Sequence, residues 1–173
     1  MQNIISFDCE TTGLSPSDSR ITCICVKTEK EKYTFADQDE AKILMDFWKF
    51  VNKNIEKLFV GFNVMFDVDF VLIRSLKNGI CVRKFFIEDV RDILNIKREY
   101  RFKGTLEYWA DFFDVDHNGN LIGSDMPKLF EQGKIDIIKE HCEDDVRTVF
   151  ELYKKLKNLG LVDVYRKKYD KYV

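Results

Sequence analysis

Four carboxylates in three widely separated segments constrain this chain more than any other feature. Asp8 and Glu10 stand in I-S-F-D-C-E-T-T-G-L, Asp67 in G-F-N-V-M-F-D, and Asp145 in H-C-E-D-D-V-R-T. Gathered in one place they cannot persist as bare charges, because mutual repulsion and desolvation cost too much. Hard divalent cations remove the conflict, since Mg²⁺ or Mn²⁺ takes carboxylate oxygens and keeps positions open for phosphate and water. Where the fold brings the three segments together, the chemistry implied is two-metal cleavage of a phosphodiester.

Composition sets the outer limits. A chain of 173 residues, 45% apolar and 14% aromatic, can bury one substantial core, so residues 1–173 read as one domain. With 28 basic and 30 acidic side chains the net charge is −2, which excludes a protein that coats duplex nucleic acid by charge alone. No run reaches the length of a membrane span, and the polar start M-Q-N does not read as a signal peptide, so no membrane partner is expected. The five cysteines are an odd number without a C-x-x-C pair, which fits reduced, buried thiols in a cytoplasmic protein. Zinc is not expected, because only His117 and His141 are available and neither stands at finger distance from two cysteines.

The pattern along the chain alternates strands and helices. Residues 3–7, 20–27 and 32–36 read as strands separated by turns, an antiparallel meander. Residues 39–55 place Ile43, Leu44, Phe47, Phe50 and Val51 at helical spacing, and residues 58–62 read as a buried strand. Residues 67–76 are expected to be helical with Phe70, Val71 and Ile73 inward. In the stretch 84–104, Ile93, Leu94 and Ile96 suggest a helix, and R-E-Y-R-F-K-G reads as a basic loop. Thr105 caps a helix that turns Leu106, Trp109 and Phe113 inward. D-V-D-H-N-G-N is a turn cluster without the closing Glu of a calcium loop. A long helix follows over about 135–159, and the tail 164–172 reads as a solvated basic end. The whole predicts one α/β domain on a mixed sheet.

Asp8 and Glu10 lie two apart at a strand end, so both point to one face. Taken alone, such a pair is an ordinary exposed acidic pair. Asp67 opens a helix and on its own would only complement the helix dipole, as Asp69 also would. His141 and Asp145 are four apart on the last helix and share a face, where the imidazole can orient or deprotonate a water. Asp144 rivals Asp145, and local pattern does not separate them.

F-D-C-E-T-T-G-L, N-V-M-F-D and H-C-E-D-D-V, taken in order, resemble the three exonuclease motifs of the DEDD superfamily of 3′–5′ exonucleases. The resemblance spans residues 4–153 and implies a ribonuclease H-like fold, with parallel strands joining the antiparallel meander and helices flanking the sheet. L-I-G-S-D-M-P-K-L-F-E-Q-G-K is further similar to stand-alone relatives of the family B polymerase proofreading domain. By this resemblance Asp8, Glu10, Asp67 and Asp145 match the four metal-binding acids. Asp8 would bridge both ions, Glu10 and Asp145 would complete the site of the nucleophilic water, and Asp67 would support the second ion. Thr11 and Leu14 match contacts to the terminal nucleotide, Asn63 a residue near the substrate backbone, and Phe66 a base-stacking surface. One position departs from the pattern. The subclass with this spacing carries tyrosine where His141 stands, and the histidine subclass places its histidine at the position of Glu140.

The implied reaction is metal-dependent hydrolysis of single-stranded DNA from the 3′ end, releasing nucleoside 5′-monophosphates. Two alternatives stand beside it: an exoribonuclease trimming RNA ends, and a binding module that keeps the fold without catalysis. Arg98, Arg101 and Lys103 would guide phosphates or simply be solvated. A separate polymerase, a repair assembly or turnover would each be served by such an enzyme, and oligomeric state is left open.

Overall fold

The structure, a computed structural model, describes residues 3–94, 104–119, 123–163 and 166. β1 (Ile4–Thr11) pairs antiparallel with β2 (Ile21–Lys27), and β2 pairs antiparallel with β3 (Lys32–Ala36). β4 (Leu58–Gly61) joins the free edge of β1 in parallel, and β5 (Phe86–Asp89) joins β4 in parallel. The mixed sheet therefore runs β3-β2-β1-β4-β5. Every residue of β4 is buried, as a parallel strand covered on both faces requires. β5 falls in the stretch 84–104 to which the sequence pattern assigned no strand, and four residues are too few to show a period.

Helices cover both faces: α1 (Glu40–Lys53), α2 (Met65–Lys77), α3 (Val90–Leu94), α4 (Leu106–Phe112), α5 (Met126–Glu131) and the long α6 (Ile135–Asn158). Asp39 caps α1 by accepting the Ala41 N–H at 3.0 Å, and the Thr105 hydroxyl caps α4 by accepting from Tyr108 N at 3.3 Å. α5 and the 3-10 turn before it, Gly123–Asp125, were not foreseen.

Period two along β1 and β2 decides what lies on each face. Ile5, Phe7 and Cys9, with Ile24 and Val26, face α1 and α2 and build an aromatic core around Phe47, Phe59, Phe70 and Phe85. Phe7 stacks on Phe47 at 5.3 Å, and Phe59 meets Phe85 edge-on at 5.2 Å. The alternate residues Ser6, Asp8 and Glu10, with Cys23 and Cys25, face α6. This face is lined by small and polar side chains, so the helix comes close: the buried Ser6 hydroxyl donates to the Val146 carbonyl at 2.6 Å. A second apolar cluster, including Val60, Trp109, Leu152 and Tyr153, closes the sheet under α4 and the later turns of α6.

Three expectations need correction. Ile73 is 45% exposed, and Val68 joins Phe70 and Val71 in the core face of α2, because the buried positions Asp67, Val71, Arg74 and Ser75 recur every three to four residues and Ile73 falls on the opposite side of the helix. Phe113 is half-buried and packs against the second cluster, stacked on Trp109, rather than within it. Arg166, expected in a solvated tail, donates from Nε to Glu88 Oε1 at 3.0 Å and from Nη2 to the Tyr153 hydroxyl at 3.2 Å. Ile96, Arg98, Arg101, Lys103 and the rest of the tail lie outside the described residues. No helix among the described residues is long and apolar enough to cross a membrane.

Candidate active site

β1 presents Asp8 and Glu10 on the face turned to α6, and the strand register slips between Glu10 and Thr11. Such an irregularity ends regular pairing and re-aims the chain into the turn that follows. Asp67, in the first turn of α2 and 4% exposed, reaches the same strand from the other side. Its Oδ1 accepts the Cys9 N–H at 3.0 Å, latching it to the backbone between Asp8 and Glu10.

The turn between β4 and α2 makes that reach possible. A side chain at Gly61 would put its Cβ 2.4 Å from Val64 and 2.9 Å from the Phe7 carbonyl, so only glycine lets the turn settle on β1. Asn63 follows in the left-handed region at φ +58°. It is braced from the end of β5 and the start of α3: its N–H donates to Asp89 Oδ1 at 2.8 Å, and its side-chain oxygen accepts from Arg91 Nη1 at 2.8 Å.

α6 supplies the third side. His141 Nε2 lies 3.5 Å from Glu10 Oε1 and 3.7 Å from Asp145 Oδ2, and the three donor groups fit within 4.8 Å of one another. Cys142 Sγ sits 3.6 Å from Asp8 Oδ2. Asp144 and Asp145 have different partners. Asp144 accepts from Arg147 Nη2 at 2.5 Å and from Asn118 N at 2.8 Å, so it staples the segment around Asn118 to α6. Asp145, one position on, is left facing His141.

Burial dominates the electrostatics. It pushes the Asp8 carboxyl, with Cys25 beside it, up to about 7. It pushes Asp145 up to about 9, with Asp8, Glu107 and Asp144 adding to the effect. Glu10 and Asp67 also rise well above the carboxylate range through burial and then the charge of Asp8. His141 moves the other way, lowered by burial against the pull of Glu107, Asp144 and Asp125. Among the described residues no lysine or arginine pairs with any of the four acids. Buried oxygen donors that repel one another, with no lysine or arginine paired to them among the described residues, suit hard divalent cations.

A stability prediction follows. These carboxyls hold protons in the folded chain at pH values where the unfolded chain has lost them, so raising the pH from about 4 to 9 favours unfolding. Metal-free protein is expected to lose about 2 kcal/mol from pH 5 to 9, or about 4–8 °C in Tm. Mn²⁺ should restore more at pH 9 than at pH 5. Thermal melts showing a flat Tm, or an equal Mn²⁺ effect at both pH values, would contradict this.

The other sequence-predicted residues differ in their placement. Leu14 is 87% exposed on the turn after β1. The Thr11 hydroxyl, nearly buried, donates to the Gly13 carbonyl at 2.7 Å and so shapes that turn. Phe66 is half-buried, its ring centroid 4.9 Å from that of Phe70. The sequence reading missed Glu107, which with His117, His141, Asp144 and Asp145 lines a pocket of about 120 Å³ beside the acids. Nothing in its segment distinguishes it from any first-turn acid of a helix.

Comparison with known proteins agrees with this architecture. An uncharacterized protein of Methanocaldococcus jannaschii is 35% identical over 170 residues, spanning 90% of this chain and 96% of its own. The family B DNA polymerase of the archaeon Pyrobaculum calidifontis superposes with a TM-score of 0.77 at 19% identity, covering 93% of this chain. The chain spans about a quarter of that polymerase's length (25%), and the likeness is one of fold. The family pattern matches residues 5–157, and the chain belongs to the RNase H superfamily.

Proposed function

We propose that residues 1–173 form a single 3′–5′ exonuclease domain that hydrolyses single-stranded DNA from its 3′ end to nucleoside 5′-monophosphates. The observation that carries this reading is the meeting of Asp8, Glu10, Asp67 and Asp145 from three segments, in the order of the DEDD motifs, with His141 between Glu10 and Asp145. RNase H superfamily membership supports a nuclease, and DNA is chosen over RNA on the resemblance of the stretch 121–134 to relatives of the polymerase proofreading domain.

In this reading Asp8, Glu10, Asp67 and Asp145 hold the metal ions, Mg²⁺ or Mn²⁺. When bound, such ions polarise the scissile phosphate and lower the pKa of a water. Asp8 ties the acids together, because it is the charged neighbour shared by the other three. His141 accepts the proton of the attacking water, its ring held at Nε2 distance from both flanking carboxylates. Leu14 wedges against the terminal nucleotide from its exposed turn, and Thr11, Asn63 and Phe66 bound the path of the strand. Single strands fit such a site because a frayed end can enter where a duplex cannot.

Burial lowers the His141 pKa, so the acidic limb of the rate profile is expected below the ordinary imidazole value of about 6.5. His141→Ala should reduce the rate by about 10²-fold and abolish that limb. An unchanged limb in the variant would remove His141 from the role of base. Matched DNA and RNA oligomers incubated with Mg²⁺, Mn²⁺ or chelator test the wider reading. DNA degraded faster supports it, RNA degraded faster turns the assignment to an exoribonuclease, and neither degraded with either ion leaves a binding module.

A further inference from the structure

Directly under the carboxylates lies a cluster of side chains that hydrolysis does not use. Cys23 and Cys25 stand two apart on β2, so both face α6, and Cys142 descends from α6 to meet them. All three are fully buried, and their sulfurs lie within 4.8 Å of one another. The Cys23 and Cys25 sulfurs are 3.7 Å apart. Thiols are weak hydrogen-bond donors and acceptors, so three in mutual contact gain little from one another as neutral groups.

The geometry fits a different occupant. A cation held by sulfurs at about 2.3 Å requires sulfur–sulfur separations of roughly 3.8–4.0 Å, tetrahedral or trigonal. The separation across β2 is already close to that size. The frame is also fixed by the fold rather than by the thiols. Cys23 and Cys25 pair in register with Glu10 and Asp8 across the β1–β2 ladder. The Ser6 to Val146 hydrogen bond of 2.6 Å holds α6 against β1 one turn beyond Cys142. Thr34 adds a hydroxyl 3.7 Å from Cys25 Sγ, and Asp8 Oδ2 lies 3.6 Å from Cys142 Sγ on the side of the acids. Sulfur donors select soft cations and discriminate against Mg²⁺ and Mn²⁺, so this cluster and the carboxylates choose different ions.

We propose that Cys23, Cys25 and Cys142 form a binding site for one thiophilic divalent cation of the Zn²⁺ and Cd²⁺ class, adjoining the carboxylate site at Asp8. The site does not depend on the exonuclease reading. Wide sequence separation hides it, since only the packing of α6 on β2 completes the trio.

Cd²⁺ titrated into the reduced full-length protein, followed over hours because the thiols are buried, tests the site directly. One Cd²⁺ per chain is expected, with a sulfur-to-cadmium charge-transfer band in the ultraviolet that excess Mg²⁺ does not displace. Cys25→Ser and Cys142→Ser should each weaken binding at least tenfold, and Cys81→Ser, which alters the exposed cysteine, should leave it intact. Circular dichroism and a melting curve identify which variants fold, and Cys23→Ser replaces any that does not. A wild-type protein without the band, a band retained in a folded Cys142→Ser variant, or one lost in Cys81→Ser would overturn the proposal.

Discussion

Asp8→Asn is expected to lower the rate of 3′-end hydrolysis by at least about 10³-fold while leaving the chain folded. The effect is large because Asp8 is the charged neighbour common to Glu10, Asp67 and Asp145, so no other acid can take its place. The substitution is close to isosteric, and the asparagine oxygen can still accept from Cys142, which lies 3.6 Å from Asp8 Oδ2. Removing its charge also relieves the repulsion that raises the other three carboxyls. Metal-free Asp8→Asn protein should therefore melt higher than wild type at pH 9, even as it loses activity. Initial rates on a labelled oligomer with Mn²⁺, paired with melting curves, read both effects. A variant within tenfold of wild-type rate, or one destabilised at pH 9, would contradict the placement of Asp8 at the centre of the site.

Arg74→Ala should produce the largest loss of stability, about 3 kcal/mol, or roughly 6–12 °C in Tm. Arg74 and Glu40 form an ion pair whose side chains are each 8% exposed. Glu40 accepts from Arg74 Nε at 2.9 Å and Nη2 at 2.6 Å, and from the Ile21 N–H at 2.7 Å. Arg74 also donates to the Pro16 carbonyl at 3.2 Å. One ion pair thus ties α1, α2, the start of β2 and the turn carrying Leu14. Burial opposes the Glu40 charge most strongly, but the hydrogen bonds from Arg74, Ile21 and Asn78 and the charge of Arg74 together hold the carboxyl below its ordinary range. Truncating Arg74 leaves that carboxylate buried with only neutral donors, the costly way to break such a pair. The double variant Arg74→Ala, Glu40→Gln should recover part of the loss, since the stranded charge is gone. A single variant as stable as wild type by thermal melt would show that the pair contributes nothing net.

Much of the fold could be read from local pattern because strands and helices impose different periods on the same residues. The two-residue spacing of Asp8 and Glu10 placed both on one face, and the α1 residues Ile43, Leu44, Phe47 and Val51 lie in the core as their spacing required. Features that depend on distant partners were not legible. Asp144 and Asp145 differ only by one helical step, and it is Asn118 and Arg147 that occupy Asp144. β5 is four residues long and takes its form from β4 beside it. Glu107 became part of the site only because α4 packs against α6, and the three thiols meet only because α6 crosses β2. Ile73 shows the reverse error, an apolar residue assigned inward when the helix turns it to solvent.

The most direct test of the exonuclease reading is a time course on a 5′-labelled single-stranded DNA oligomer with Mn²⁺, run beside the same strand blocked at its 3′ end. The reading predicts a ladder shortening from the 3′ end, release of nucleoside 5′-monophosphates, protection of the blocked strand, and no products with chelator. Cleavage inside the blocked strand, or products formed equally well in chelator, would contradict it.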